Sequence, residues 1–238
     1  MNIPFLNKPT VKFYSESTAI TQEYPIYPAR DYKRKWVKQC ATSFQKYKKI
    51  TDGRASTISV AKCPGIRNVM EAGYIATTWH DFTIETDGKE FKIYYPTPLQ
   101  EFLDKINFNH PLITTFDTNK SPMKIPTGNN HSHIFKIFIP YSFDIPKGYE
   151  LQILPVYYDD NPKFTACPGK CEGFQSDFNV HIFWHEQNGR ITIPAGTPLC
   201  QLVPIRKETI PLELKIADDN ILLKAKKRLF KKSNRFIL

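Results

Sequence analysis

Between residues 133 and 208 the chain runs through five short stretches, HIFKIFIPYSF, YELQILPVYY, FNVHIFWHE, GRITIPAG and LCQLVPIRKE, separated by proline, glycine and aspartate. Each stretch is rich in the aromatic and β-branched residues that suit a pleated, half-buried surface, and runs so closely punctuated leave little room for long helices. The pattern predicts a mainly β fold, a barrel or a sandwich in which each strand buries one face, with a few short helices. The 19 prolines, 17 phenylalanines and 12 tyrosines, against 10 glycines and 3 methionines, point the same way.

Upstream, Pro64 suits the first turn of a helix, where its missing N–H leaves no partner wanting, and Gly73 can end that helix in a left-handed conformation. Ile66, Val69 and Met70 form the expected buried stripe. Past Gly73 the period changes to two, which predicts strands at about 74–85 and 90–95 around an Asp87-Gly88 hairpin turn. Residues 97–130 read as loops with one short helical turn. Prolines at 4, 9, 25 and 28 make residues 1–29 an extended arm or edge strands, because proline withholds a backbone donor. The expected organisation is therefore the arm, a single β-rich body over residues 30–217 with or without a subdivision near 97–130, and a basic helix or tail over 218–238. In that last segment Ile221, Leu222, Ala225 and Leu229 fall on one helical side.

The formal charge of +10 at 238 residues is unevenly spread. Residues 30–49 hold eight basic side chains and one acidic, and residues 224–235 hold seven basic and none acidic. Such blocks attract nucleic acid or acidic protein surfaces, or stand solvated as terminal segments that keep a protein soluble. Lys224, Lys227, Lys231 and Arg235 are the candidate partner-binding residues, on the open side of the predicted terminal helix. No run approaches the roughly 18 apolar residues that span a membrane, and the opening residues lack a signal-peptide pattern, so no membrane partner is expected. Reduced thiols are the default for the five cysteines.

The succession IPYSFDIPKGYELQILP, GFQSDFNVHIF and ITIPAGTPLCQLVPI resembles the dUTPase and dCTP deaminase superfamily over residues 139–206. The matching positions are Pro146, Gly148 and Tyr149, then Gly173, Ser176, Asp177 and Phe178, then Gly196, Leu199, Gln201 and Leu202. The resemblance implies a dUTPase-like or jelly-roll-like framework and a nucleotide pocket near Gln175, Asp177, Phe178 and Gln201. Three departures count against ordinary dUTP hydrolysis. Gln175, which cannot ionise, stands where the hydrolases place a water-orienting aspartate. The segment that grips phosphates is replaced by LPVYYDDNPKF, whose Asp159 and Asp160 would repel a triphosphate. No magnesium-binding carboxylate cluster stands out. The same layout, with CPGI, the stretch from Gly73 to Trp79 and the Asn109-His110-Pro111 triplet, resembles a family of uncharacterised tailed-bacteriophage proteins. The expectation is a non-enzymatic phage structural or interaction protein, without a cofactor, found in the virion or the host cytoplasm and assembling with protein subunits. The alternative is a nucleotide-binding or nucleotide-processing protein with an altered pocket.

Cys167 and Cys171, in a C-x-x-x-C spacing, together with His181 and His185 on one strand face, supply sulfur and nitrogen of the kind zinc takes. The plainer reading makes them turn-flanking thiols and strand residues. His131 and His133 share the two-residue spacing of cupin iron ligands but lack the carboxylate that should follow. His80 and Asp81 are adjacent in a predicted strand and so face opposite sides.

Overall fold

A computed structural model describes residues 9–15, 17–40, 63–105, 112–115, 133–161, 163–176, 178–208, 210 and 211. Among them fifteen strands form four antiparallel sheets, joined by a few short helices. The largest sheet orders β11 (Gly169–Cys171), β9 (Tyr149–Leu154), β15 (Pro198–Arg206), β3 (Tyr74–Thr77) and β2 (Tyr27–Pro28). A second orders β10 (Phe164–Ala166), β13 (Asn179–Trp184), β7 (His133–Phe138) and β6 (Ile113–Thr115). Two three-stranded sheets follow, β14 (Gly189–Ile193) with β4 (Phe82–Thr86) and β5 (Phe91–Tyr94), and β1 (Lys12–Tyr14) with β8 (Ser142–Asp144) and β12 (Phe174–Gln175). Closure into a barrel needs the first and last strands of a sheet to pair. Each sheet here keeps two end strands, so none of them is a closed barrel.

Alternation builds the core. Along β13 Val180, Ile182 and Trp184 are buried while Asn179, His181 and Phe183 lie on the other face. The antiparallel register sets Val180 opposite Ile137 and Ile182 opposite Phe135 on β7. One hydrophobic cluster gathers these residues with Phe82 and Ile84 of β4, Phe143 of β8, Leu151 of β9 and Leu199 and Leu202 of β15. Side chains of this size, fully buried, contribute roughly 1.5–3 kcal/mol each before entropy is subtracted.

The strand expected over 74–85 is two strands in two sheets. At Thr78 the chain turns a corner: its N–H donates to Thr197 O at 2.9 Å, its carbonyl accepts from Gly196 N at 2.7 Å, and its Oγ1 donates to Pro194 O at 2.9 Å. Asp81 locks the same corner by accepting from Ala195 N at 2.7 Å. The facing Pro194–Thr197 turn bends β14 into β15 at the same level, so β3–β4 and β14–β15 bend together. Alternating apolar residues continue through a corner, which is why period two does not reveal it.

Four helices complete the described chain: α1 (Thr18–Glu23), α2 through residues 35–40, α3 (Pro64–Glu71) and α4 (Thr97–Lys105). The single helical turn expected past residue 97 is nine residues long, with Leu103 buried. Pro64 opens α3 and Gly73 follows it at φ +68°. Of the predicted stripe, Met70 is buried, Ile66 partly so, and Val69 is exposed, because an eight-residue helix lying on the 3-10 turn Ala29–Asp31 has little surface to cover. At the hairpin Asp87 Oδ1 accepts from Lys89 N at 2.8 Å and Glu90 N at 2.7 Å, with Gly88 at φ +87°. Within residues 1–29, β1 and β2 are edge strands, Phe13 packs on Phe143 at 5.9 Å, and Ala29 is fully buried.

Candidate binding site

A polar cluster around the buried Arg34 lies where the chain leaves the Ala29–Asp31 turn. Ala29 N donates to Gly73 O at 2.9 Å and Tyr32 N to Ala29 O at 3.2 Å, which anchors the turn beside the start of β3. These five residues have no apolar periodicity. They are held instead by the 157–161 turn between β9 and β10. Tyr32 OH donates to Asp159 Oδ1 at 2.5 Å, Arg34 Nε to Tyr157 O at 2.8 Å, Lys35 N to Asp160 Oδ2 at 2.6 Å, and Trp36 Nε1 to Tyr158 O at 2.8 Å. The four contacts join segments more than 120 residues apart into a clasp.

Arg34 is the unusual member. Its side chain lies over the Tyr32 ring, 4.9 Å from the centroid, and the residue is only 5% exposed, yet Nη2 has no hydrogen-bond partner. Leaving a buried donor unmet costs about 1–3 kcal/mol, more when it carries charge. Asn161 repeats the pattern: Oδ1 accepts from Lys163 N at 3.0 Å and the buried Nδ2 has no partner. Tyr158, between them in sequence, sits at φ +56°, a conformation that is an outlier for a bulky side chain. Its ring packs against Trp36 with centroids 6.2 Å apart.

Burial controls the ionisation of the clasp. It lowers the Arg34 pKa, an effect that Tyr32, Asp159 and Asp160 oppose through their charges. Burial also raises the Asp159 carboxyl above the usual carboxylate range, while the Tyr32 and Asp160 hydrogen bonds pull it down. Tyr32 is raised well above an ordinary phenol by burial and by its bond to Asp159, so the phenol keeps its proton and donates it. The cluster presents unmet donors rather than a proton-transfer pair.

The residues singled out in the sequence are scattered. Gln201 is fully buried and its Nε2 donates to Val69 O at 2.7 Å and Ala72 O at 2.6 Å, so it ties the end of α3 to β15. Gln175 donates to Glu172 O at 2.7 Å on edge strand β12, and Phe178 is buried edge-on against Phe143 at 4.8 Å. Asp177 lies outside the described residues, as do Lys224, Lys227, Lys231, Arg235 and His131. His181 lies on β13 and His185 just past its end, four residues or about 13 Å of extended chain apart, too far for one metal ion. His185 Nε2 meets Thr165 Oγ1 at 2.5 Å, and Cys167 N donates to the His181 carbonyl at 2.7 Å. Burial pushes the Cys167 and Cys171 thiols up to about 11, against the thiolate that zinc requires. No group of three or more His, Cys, Asp or Glu among the described residues is placed to hold a metal ion. His133 packs on Phe91 at 5.1 Å and lies 3.4 Å from Thr86 Oγ1. His80 is buried against Trp79 and Tyr95, and Asp81 points away to Ala195.

Sequence reasoning noticed Asp159 and Asp160 only as repulsive charges and the segment around Arg34 only as part of a basic run. The available signal was polar and aromatic residues crowded at both places, RDYKRKW and PVYYDDN, but nothing in either said that they meet. No helix among the described residues is long and apolar enough to cross a membrane. No protein-family model matches the chain, and no curated protein matches it in sequence.

Proposed function

We propose that this chain is a non-enzymatic interaction protein of a tailed bacteriophage, a part of the particle or a docking factor, that associates with other protein subunits through an aromatic sheet face. The observation that carries the reading is the outer face of the β1–β8–β12 sheet. Register sets Lys12, Asp144 and Phe174 in one row across the three strands, with Tyr14 and Ser142 beside them. Phe174 is 64% exposed and Tyr14 47% exposed, whereas Phe13 and Phe143 on the opposite face pack into the core. Large aromatics left in water on the two end strands of a sheet are the kind of anchor that interfaces use. The attribution to a phage rests on the sequence resemblance. On the same footing the sheets are read as a jelly-roll-like or dUTPase-like sandwich, supported by the shared bend of β3–β4 and β14–β15.

Replacing Phe174 and Tyr14 together by serine tests the reading. The doubly substituted protein should fold with stability within about 0.5 kcal/mol per site of the parent, since both side chains are exposed. Sedimentation should then show loss of self-association, or of co-assembly with subunits from the same phage. Assembly identical to the parent would refute the aromatic face as the interface.

A further inference from the structure

We propose that Arg34 and Asn161 are the donors of a carboxylate-binding site enclosed by residues 32–36 and the 157–161 turn. The site does not depend on whether the aromatic sheet face assembles with other subunits.

The orientation of each donor is fixed by a bond that is already made. Arg34 Nε donates to Tyr157 O, which sets the guanidinium plane against the turn and leaves Nη2 without a partner. A backbone N–H can only donate, so the Asn161 atom that meets Lys163 N is the carbonyl oxygen. The unpartnered atom is therefore the amide nitrogen, a second donor. The two residues belong to the same pair of bonded segments: Arg34 bonds Tyr157, Lys35 bonds Asp160, and Asn161 is the next residue.

The nearby carboxylates do not meet these donors. Asp159 accepts from Tyr32 OH and Asp160 N, and Asp160 accepts from Lys35 N. What the two donors lack is an acceptor, and a planar carboxylate matches the guanidinium fork. Asp159 and Asp160 act on Arg34 through their charge, so a polyanion is disfavoured far more than a single carboxylate, whose fork geometry must carry the selectivity. The Tyr32 ring under the guanidinium and the Trp36–Tyr158 ring pair favour a carboxylate attached to an apolar or aromatic body. Tyr158 is 48% exposed and Asn161 half-buried, which puts the entrance at the turn.

The test is thermal unfolding of the full chain with sodium benzoate, with N-acetyl-glycyl-phenylalanine and its carboxamide, with sodium phosphate, and with sodium chloride at matched ionic strength. Benzoate should raise Tm saturably, as a ligand selective for the folded state does, while chloride and the carboxamide leave it unchanged. A rise with the free-acid peptide as well supports the site with a chain-terminal carboxylate as ligand, and a rise with benzoate alone supports it with a small acid. Arg34→Lys keeps the charge but loses the fork, and should weaken the apparent Kd about tenfold or more. Asn161→Asp keeps an oxygen for Lys163 N and turns the donor into a repelling acceptor, so it should abolish the response even if Arg34→Lys does not fold. Equal shifts with benzoate and chloride, a shift with phosphate alone, a carboxamide as effective as the acid, or an unchanged response in Asn161→Asp would each overturn the proposal.

Discussion

Strand β13 and the clasp at residues 32–36 are both fixed in the folded chain, but by opposite means. β13 is held along its length by two neighbouring strands, β7 and β10, and by an apolar face that enters the core at every second residue. Residues 32–36 have one buried side chain, Arg34, and are held by directional bonds to a distant turn. Hydrophobic burial is non-directional and tolerant, so a ladder survives many changes that keep its pattern. A clasp of charge-assisted bonds has no such reserve, because losing one partner leaves the other buried and unmet. The ladder supplies the rigid body, and the clasp is where unmet donors, a left-handed tyrosine and exposed aromatic surface coincide.

The largest effect should come from the ladder of the large sheet, where β3 meets β15. Gly73 lies where the end of α3 passes β15, and a Cβ added there would sit 2.0 Å from the Leu202 carbonyl oxygen. Its φ of +68° also disfavours any side chain. Gly73→Ala must displace the β15 backbone from β3 and should lose about 3 kcal/mol or more in urea unfolding, or fail to fold. A variant as stable as the parent would mean that β3 and β15 do not approach this closely.

The clasp should respond less, and to its chemistry rather than its volume. Tyr32→Phe removes only the hydroxyl that donates to Asp159, leaving the carboxylate with the Asp160 N–H. A loss of about 1–3 kcal/mol is expected. In an Asp159→Asn background the same substitution should cost distinctly less, because much of the term belongs to the pair. Equal losses in both backgrounds would show that the Tyr32 ring under Arg34, not its hydroxyl, holds the segment.

That contrast also explains what could be read in advance. Strand identity from residue 133 onward was legible because alternation at Val180, Ile182 and Trp184 is a local signal with a known period. The Asp87-Gly88 turn and the Pro64 to Gly73 helix were legible for the same reason, since local backbone rules set them. The corner at Thr78–Asp81 was not, because the residues that bend the strand, Pro194 to Thr197, lie more than 110 positions away. The clasp was least legible of all: Arg34 reads as one cation in a basic run, and only the fold separates it from Lys33 and Lys35. Gln201 shows the reverse case, a residue conspicuous by its motif whose amide nitrogen is engaged by the end of a helix.

Acid distinguishes the two regions more gently, and the sign differs between them. Burial holds His80 below the ordinary histidine range, with the Asp81 carbonyl and charge opposing the shift. A carbonyl only accepts, so the 3.0 Å contact from Asp81 O to Nδ1 makes the neutral ring the Nδ1–H tautomer. His133 and His181 are lowered too, by burial first, with Asp87 opposing the shift at His133 and Lys136 adding to it at His181. A group whose folded pKa lies below its unfolded value binds more protons once unfolded, so stability falls as pH drops through the ordinary histidine range. Asp159 runs the other way. Its carboxyl is raised by burial, so the folded chain takes up that proton more readily, and acid relieves the clasp below the folded pKa. Tm should therefore decline between about pH 7 and about pH 5 as the ladder's histidines are drawn toward protonation, with Asp159 offsetting part of the loss at the acid end. His80→Asn, which keeps a donor for the Asp81 carbonyl but cannot titrate, should flatten the decline without changing its direction. A Tm that rises over that interval would assign the acid response to the clasp, and an unchanged slope in His80→Asn would leave the decline to His133 and His181.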